Sequence, residues 1–210
     1  MKLISASPSP YARKVRIALA EKSLPFELVT EVPWDSTTTT PRHNPLEKLP
    51  ILILDDGTSV YESRYILEYL EAHHPTPPLL PPDIDGILAA RKLEVLADGV
   101  CDAFVLALFE RQRAPERQSA PWLDRQTRKI KGGIAEIARL IGQRTFAVGE
   151  RFGLGDIAVG SMFGYLAVRY PELAVAKAYP DLARYAAGLE ARPSFATTRP
   201  YPQQFKDRIV

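Results

Sequence analysis

Between residues 75 and 82 the chain reads Pro-Thr-Pro-Pro-Leu-Leu-Pro-Pro. Proline fixes φ and has no amide hydrogen to donate, so neither a helix nor a central strand can run through such a segment. It divides the chain into a predicted domain of residues 1–75, a linker of 76–84 and a second domain of 85–210. Upstream of the prolines, short apolar runs alternate with helical periodicity. Downstream, every long segment is helical, so the two halves belong to different structural classes.

In the first half, residues 2–5 and 26–30 are predicted strands. The continuous apolar run Ile51-Leu52-Ile53-Leu54 is of the buried-strand kind. Asp55-Asp56-Gly57 supplies a hairpin turn before a fourth strand at 59–61. A helix over 10–22 carries Tyr11, Val15, Ala18, Leu19 and Lys22 on one face, and a helix over 63–73 buries Ile66, Leu67 and Leu70. The order βαβ, long connection, ββα is that of a thioredoxin-like α/β domain. Thr37 to Thr40 form a polar run, expected in an exposed loop.

In the second half, a long helix over 84–111 contains Gly99, which is tolerable where helices pack closely. Helices over 121–141, 154–169 and 180–191 complete an all-α unit. In the first of these, Ile130, Ile134, Ile137, Ala138 and Ile141 follow the i, i+3, i+4 pattern and Pro121 suits a first-turn position.

Composition narrows the function. The chain of 210 residues is 46% hydrophobic and carries 27 basic against 25 acidic residues, a net charge of +2. That balance points to no nucleic-acid partner. The single cysteine, Cys101, cannot close an intramolecular disulfide, and His43, His73 and His74 show no metal-ligand spacing. The N-terminus has no secretory pattern, and no run approaches the roughly 18 apolar residues needed to cross a bilayer. A cytoplasmic protein without membrane contact is expected.

Chemistry concentrates at Ser9-Pro10-Tyr11-Ala12-Arg13-Lys14-Val15, which joins the first strand to the first helix. Pro10 is pre-organised for the first helical position, placing Ser9 at the N-cap. Free amides and the positive end of the helix dipole stabilise an anion there, and a hydroxyl can donate a hydrogen bond to a thiolate. A bare helix cap is the competing role for Ser9, and Tyr11 is an alternative hydroxyl donor.

The segment resembles the active-site turn of cytosolic glutathione transferases that use serine or cysteine. Two further segments match in order: Asn44-Pro45-Leu46-Glu47-Lys48-Leu49-Pro50 resembles the family's loop before the third strand, and Glu62-Ser63 its acidic residue plus serine at a helix start. The resemblance implies a glutathione transferase fold, thioredoxin-like and then all-helical. It implies that Ser9 stabilises the glutathione thiolate. Leu49 and a cis Pro50 would pair with the cysteinyl backbone, and Glu62 and Ser63 would hold the γ-glutamyl group. Lys48 is a candidate for the glycyl carboxylate, with a solvated lysine the alternative. Glutathione is then the co-substrate, with no metal or nucleotide, and the second partner is a small hydrophobic electrophile. Conjugation or glutathione-dependent peroxide reduction follows. Tyr11 and Phe104 are candidates for the second-substrate pocket, with core packing the alternative for Phe104, Phe109 and Trp122.

The resemblance also implies a homodimer with the helix over 84–111 at its interface and Asp98 near the partner's ligand. Family isomerases carry a Ser-Ser-Cys turn, which Ser9-Pro10-Tyr11 does not match. The segment from Phe146 to Ala158 resembles the family's capping motif, with Gly153 where Ser or Thr is usual and Asp156 retained. Arg192-Pro193-Ser194-Phe195 is in keeping with the same family. The alternative function is a non-catalytic binding or regulatory protein of the same fold, as stringent starvation-type proteins are. Cys101 is expected buried and inert, and Arg125, Arg128, Lys129 and Lys131 on a solvated face.

Overall fold

Four short strands form one mixed sheet in the order β2-β1-β3-β4, comprising β1 (Lys2–Ser5), β2 (Glu27–Thr30), β3 (Ile51–Ile53) and β4 (Ser59–Tyr61). The computed structural model describes residues 1–173 and 175–207. β1 runs parallel to β2, with Leu3 opposite Leu28, and antiparallel to β3, with Leu3 opposite Leu52. β3 and β4 form the hairpin expected around Gly57, whose φ of 87° suits glycine, and Asp56 closes the turn by accepting from the Thr58 amide at 2.8 Å. Helix α1 (Pro10–Glu21) makes the crossover from β1 to β2, and α2 (Ser63–His73) follows β4. This is a thioredoxin-like half.

The remainder is helical: α3 (Ile84–Gln112), α4 (Ala120–Ile141), α5 (Leu154–Arg169), α6 (Val175–Ala178), α7 (Pro180–Glu190) and α8 (Pro193–Ala196). The four-residue α6 and α8 escape sequence periodicity because neither completes two turns. Among the described residues no helix is long and apolar enough to cross a membrane. Leu93, Ala97, Val100 and Phe104 of α3 are buried in one core with Ile130, Ile134 and Ile137 of α4 and Ile157 and Met162 of α5.

The close helix approach expected at Gly99 occurs elsewhere. Nothing lies within 4 Å of where a Gly99 Cβ would sit, whereas a Cβ on Gly133 of α4 would come within 2.3 Å of Val100 Cγ2. Gly153 likewise has a steric reason for standing at the cap of α5. The Leu154 amide donates to the Leu79 carbonyl at 2.7 Å, and a Gly153 Cβ would lie 2.6 Å from that oxygen. The proline segment is therefore bolted down at its centre. Lys22 at the end of α1 donates to the carbonyls of His74 and Pro77 and pairs with Glu71 at 2.6 Å, and Glu71 accepts from the Leu79 amide.

The threonine run departs from the exposed loop expected of it. Thr40 is wholly buried, and the Glu31 carboxylate accepts from the Thr38 hydroxyl at 2.6 Å, the Thr39 amide at 2.8 Å and the Thr39 hydroxyl at 2.5 Å. One carboxylate caging three consecutive threonines orders a segment that polarity alone assigns to solvent.

Candidate active site

Ser9 caps α1 with φ −63° and ψ 119°, and its Oγ accepts from the Ala12 amide at 3.2 Å. Pro10 occupies the first helical position, as its missing amide hydrogen allows. Ser9 is half-buried, and with Oγ already accepting from Ala12 its own hydrogen remains for donation to a ligand. The cap hydroxyl thus stands at the helix opening, where unpaired amides favour negative charge.

The Leu49–Pro50 peptide is cis. Its loop is braced from within by buried Asn44, whose Nδ2 donates to the Lys48 carbonyl at 2.8 Å and whose Oδ1 accepts from the Leu46 amide at 2.9 Å. Lys48 is exposed and, among the described residues, forms no ion pair. Glu62 caps α2 with φ 72°, a value non-glycine residues rarely adopt and one that costs about 1–3 kcal/mol. Its carboxylate accepts from the Arg64 amide at 3.1 Å and the Ser63 hydroxyl at 3.3 Å. Ser63 is buried while Glu62 is exposed, so the carboxylate stands at the surface with its neighbours' donors fixed beneath it.

The other candidates are placed differently. The Tyr11 hydroxyl donates to Asp102 of α3, and burial, with Cys101 and Asp102 nearby, pushes the phenol above its ordinary range. A phenol committed in this way has no proton to spare for a thiolate. Phe104 is 1% exposed, its ring 4.3 Å from that of Tyr170, and its carbonyl accepts from the Tyr170 hydroxyl at 2.8 Å. In this conformation it is core and offers a second substrate almost no surface. Cys101 is buried, and burial with neighbouring Asp98 pushes its thiol up, away from reactivity. Among the described residues no cluster of three or more His, Cys, Asp or Glu could hold a metal. Arg125, Arg128, Lys129 and Lys131 are exposed.

A charge network escaped the sequence reading. Lys14 of α1 is 1% exposed and its Nζ donates to Glu94 at 3.2 Å and to Asp98 at 2.8 Å, both on α3. Asp98 also accepts from Arg64 Nε at 2.9 Å, which ties the start of α2 to the same carboxylate. Within one chain, Asp98 is thereby engaged by two cations. The available signal was phase: Lys14 falls on the stripe of Tyr11 and Ala18, where a buried lysine requires an acidic partner.

Comparison with known proteins identifies the family. The family model "Glutathione S-transferase, N-terminal domain" matches residues 3–78, and "Glutathione S-transferase, C-terminal domain" matches residues 120–188. An uncharacterized GST-like protein of Escherichia coli, YibF, is 34% identical over 95% of this chain and 98% of its own length. A maleylacetoacetate isomerase of Pseudomonas aeruginosa is 31% identical over 97% of each. A glutathione S-transferase from Methylobacterium radiotolerans, solved in complex with glutathione sulfonate, is 68% identical and superposes with a TM-score of 0.98 over 100% of this chain and 99% of its own. One from Methylobacillus flagellatus, solved with glutathione bound, is 43% identical with a TM-score of 0.91, covering 95% and 98%. With both family models matched across well over half of its length, the chain belongs to the glutathione S-transferase family.

Proposed function

We propose that this chain binds glutathione across the turn, loop and helix start that carry Ser9, Leu49–Pro50 and Glu62–Ser63, and activates its thiol for attack on a small hydrophobic electrophile. Leu49 pairs with the cysteinyl backbone, Pro50 holds that backbone in place, and Glu62 accepts from the γ-glutamyl ammonium. Ser63 and the opening of α2 take the γ-glutamyl carboxylate, and Lys48 takes the glycyl carboxylate. Ser9 donates to the sulfur. A thiol with pKa near 8.5 is only a few per cent ionised at pH 7, and each unit of depression corresponds to about 1.4 kcal/mol.

In conjugation, the thiolate forms a carbon–sulfur bond as the leaving group departs with its electron pair. In peroxide reduction, it takes one peroxide oxygen to give a sulfenic acid and an alcohol, and a second glutathione then yields the disulfide and water. Tyr11 borders the electrophile. No metal or nucleotide enters either scheme. The working form is a cytoplasmic homodimer with α3 at its interface, where Leu88 and Val95 lie exposed, and with Asp98 toward the partner's site.

The observation that carries this reading is the Ser9 hydroxyl at the open end of α1, its Oγ engaged among the described residues only as acceptor by Ala12. Ser9→Ala is expected to lower turnover with 1-chloro-2,4-dinitrobenzene far more than it weakens glutathione binding. Equal activity in wild type and variant would move the thiol-activating role to the helix opening alone. The second reading, a regulatory binder, is favoured by one further likeness, a stringent starvation protein A homolog of Pasteurella multocida that is 30% identical over 77% of this chain and 73% of its own length. Retained Leu49–Pro50 and Glu62–Ser63 favour the enzyme. If glutathione neither raises the melting temperature nor retains the protein on an immobilised column, the binder stands.

A further inference from the structure

The buried cations Arg13, Lys14 and Lys22 each meet a carboxylate, of Glu190, of Glu94 with Asp98, and of Glu71. Arg169, half-buried on the last turn of α5, does not. Among the described residues its guanidinium makes one long bond, from Nη2 to the Gln203 carbonyl at 3.4 Å, and no ion pair. Its Nε is sealed from solvent and has no acceptor. A guanidinium withdrawn from water without an anion is unfavourable, because nothing in the chain replaces the hydration it has lost.

A second unpaired group stands one turn earlier on the same helix. Tyr165 is 4% exposed, its ring meets Phe104 edge-on at 6.3 Å, and its hydroxyl makes no hydrogen bond among the described residues. Burial, with Tyr170 and Cys101 nearby, pushes the phenol above its ordinary range, and Arg169 acts in the opposite direction, so the cation lies within electrostatic reach of the ring. Residues four apart share one face of a helix. A planar fork of N–H donors with a phenol hydroxyl beside it matches a carboxylate, whereas it offers a cation nothing.

Two connections lead from this pair to the thiol turn. The Gln203 that Arg169 touches accepts through Oε1 from the Ser7 amide at 3.2 Å, and the Ser9 amide closes the same turn on the Ala6 carbonyl at 3.1 Å. Cys101 of α3 lies near both Tyr165 and Tyr11. One residue, Gln203, thus separates the Arg169 guanidinium from the turn that Ser9 ends. We propose that Arg169 and Tyr165 form an anion subsite, and that the electrophile this protein takes has an apolar body ending in a carboxylate that this subsite receives. This rests on the glutathione reading above and narrows its substrate class.

Titration calorimetry on the full chain tests it with two acids, S-(2-carboxyethyl)glutathione and S-(4-carboxybutyl)glutathione, each against its uncharged counterpart, S-propylglutathione and S-pentylglutathione. Wild type favours the acid at one or both lengths. Arg169→Gln is expected to cut that preference about tenfold while changing S-alkyl affinity less than about twofold, and Tyr165→Phe to cut it about threefold. Arg128→Gln removes the same charge from the solvated face of α4 and leaves the preference as it is. Wild type without a preference, a preference that survives Arg169→Gln, or one that falls equally in Arg128→Gln overturns the subsite alone. A preference untouched by Tyr165→Phe takes the phenol out of it. No binding of either S-alkylglutathione by wild type overturns the glutathione reading itself.

Discussion

Arg13, on the helix that Ser9 opens, grips the Glu190 carboxylate of α7 with two parallel bonds of 2.7 and 2.9 Å. Its side chain is 1% exposed against 30% for Glu190, and it also reaches the carbonyls of Gly160 and Phe195, with its guanidinium carbon 5.1 Å over the Phe195 ring. Charge, planarity and burial are matched at once, which lysine could not achieve. The pair bolts the α/β half to the end of the helical half.

Gly164 of α5 makes room for that guanidinium: a Cβ there would lie 1.9 Å from Arg13 Nη1. Gly164→Ala is expected to destabilise by about 1–3 kcal/mol, the usual cost of overpacking a filled site. Arg13→Leu should cost about 2–4 kcal/mol by leaving Glu190 without its partner. In the Arg13→Leu background Gly164→Ala should become nearly neutral, and urea unfolding of the four forms gives the coupling. Additive effects would show that the glycine serves something other than Arg13.

Glu62→Ala removes the carboxylate proposed to meet the glutathione ammonium and with it the side-chain cap of α2, at a positive φ that alanine does not ease. Binding should weaken by about 1–3 kcal/mol, the worth of one charged hydrogen bond. An unchanged dissociation constant in calorimetry would take Glu62 out of the site.

Asp156 holds the start of α5 in place. Its Oδ1 accepts from the Ala147 amide at 2.9 Å and the Tyr185 hydroxyl at 2.6 Å, and its Oδ2 from the Gly153 amide at 2.9 Å. Asp156→Ala would strand three donors at a residue that is 1% exposed, at a cost of about 3 kcal/mol. Asn should recover part of this, since one acceptor oxygen remains. Chemical denaturation that finds both variants within about 0.5 kcal/mol of wild type would mean that water replaces these bonds.

Glu31 gives the threonine cage a pH dependence. Burial pushes its carboxyl upward, but hydrogen bonds from Thr38, Thr39 and Thr40 outweigh burial and hold it below the ordinary range. A depressed folded value means that the unfolded chain binds the proton more readily. The stabilisation is complete above the unfolded value of about 4.3 and is lost as pH falls through the lowered one. The melting-temperature gap between wild type and Glu31→Gln should be positive at neutral pH and shrink as pH drops below about 4. A gap that stays constant to about pH 3 would contradict this assignment.

Much of the architecture was legible in the sequence because its signals are local. The Ser9 cap, the Asp55-Asp56-Gly57 turn, the apolar run at Ile51 and the isoleucine spacing of α4 each act within one turn or one strand, where backbone chemistry decides. The segments carrying Leu49–Pro50 and Glu62–Ser63 were recognisable as short motifs. Asp156 belongs to a motif of the same kind, whereas the reason for glycine at 153 is tertiary: the Leu79 carbonyl occupies the space of its missing side chain.

Sequence by itself determined the two structural classes, the proline segment that neither helix nor strand crosses, and Ser9 as the cap of α1. Tertiary structure decided which charges are buried: Lys14 meets Asp98 at a sequence separation of 84 and Arg13 meets Glu190 at one of 177. It also turned a threonine run into a cage and brought Gln203 onto the Ser9 turn. Hydrogen-bonding potential and helix periodicity are properties of neighbouring residues, but whether a cation on a helix faces water or a carboxylate depends on what packs against it. That is settled only when the two halves close on α1.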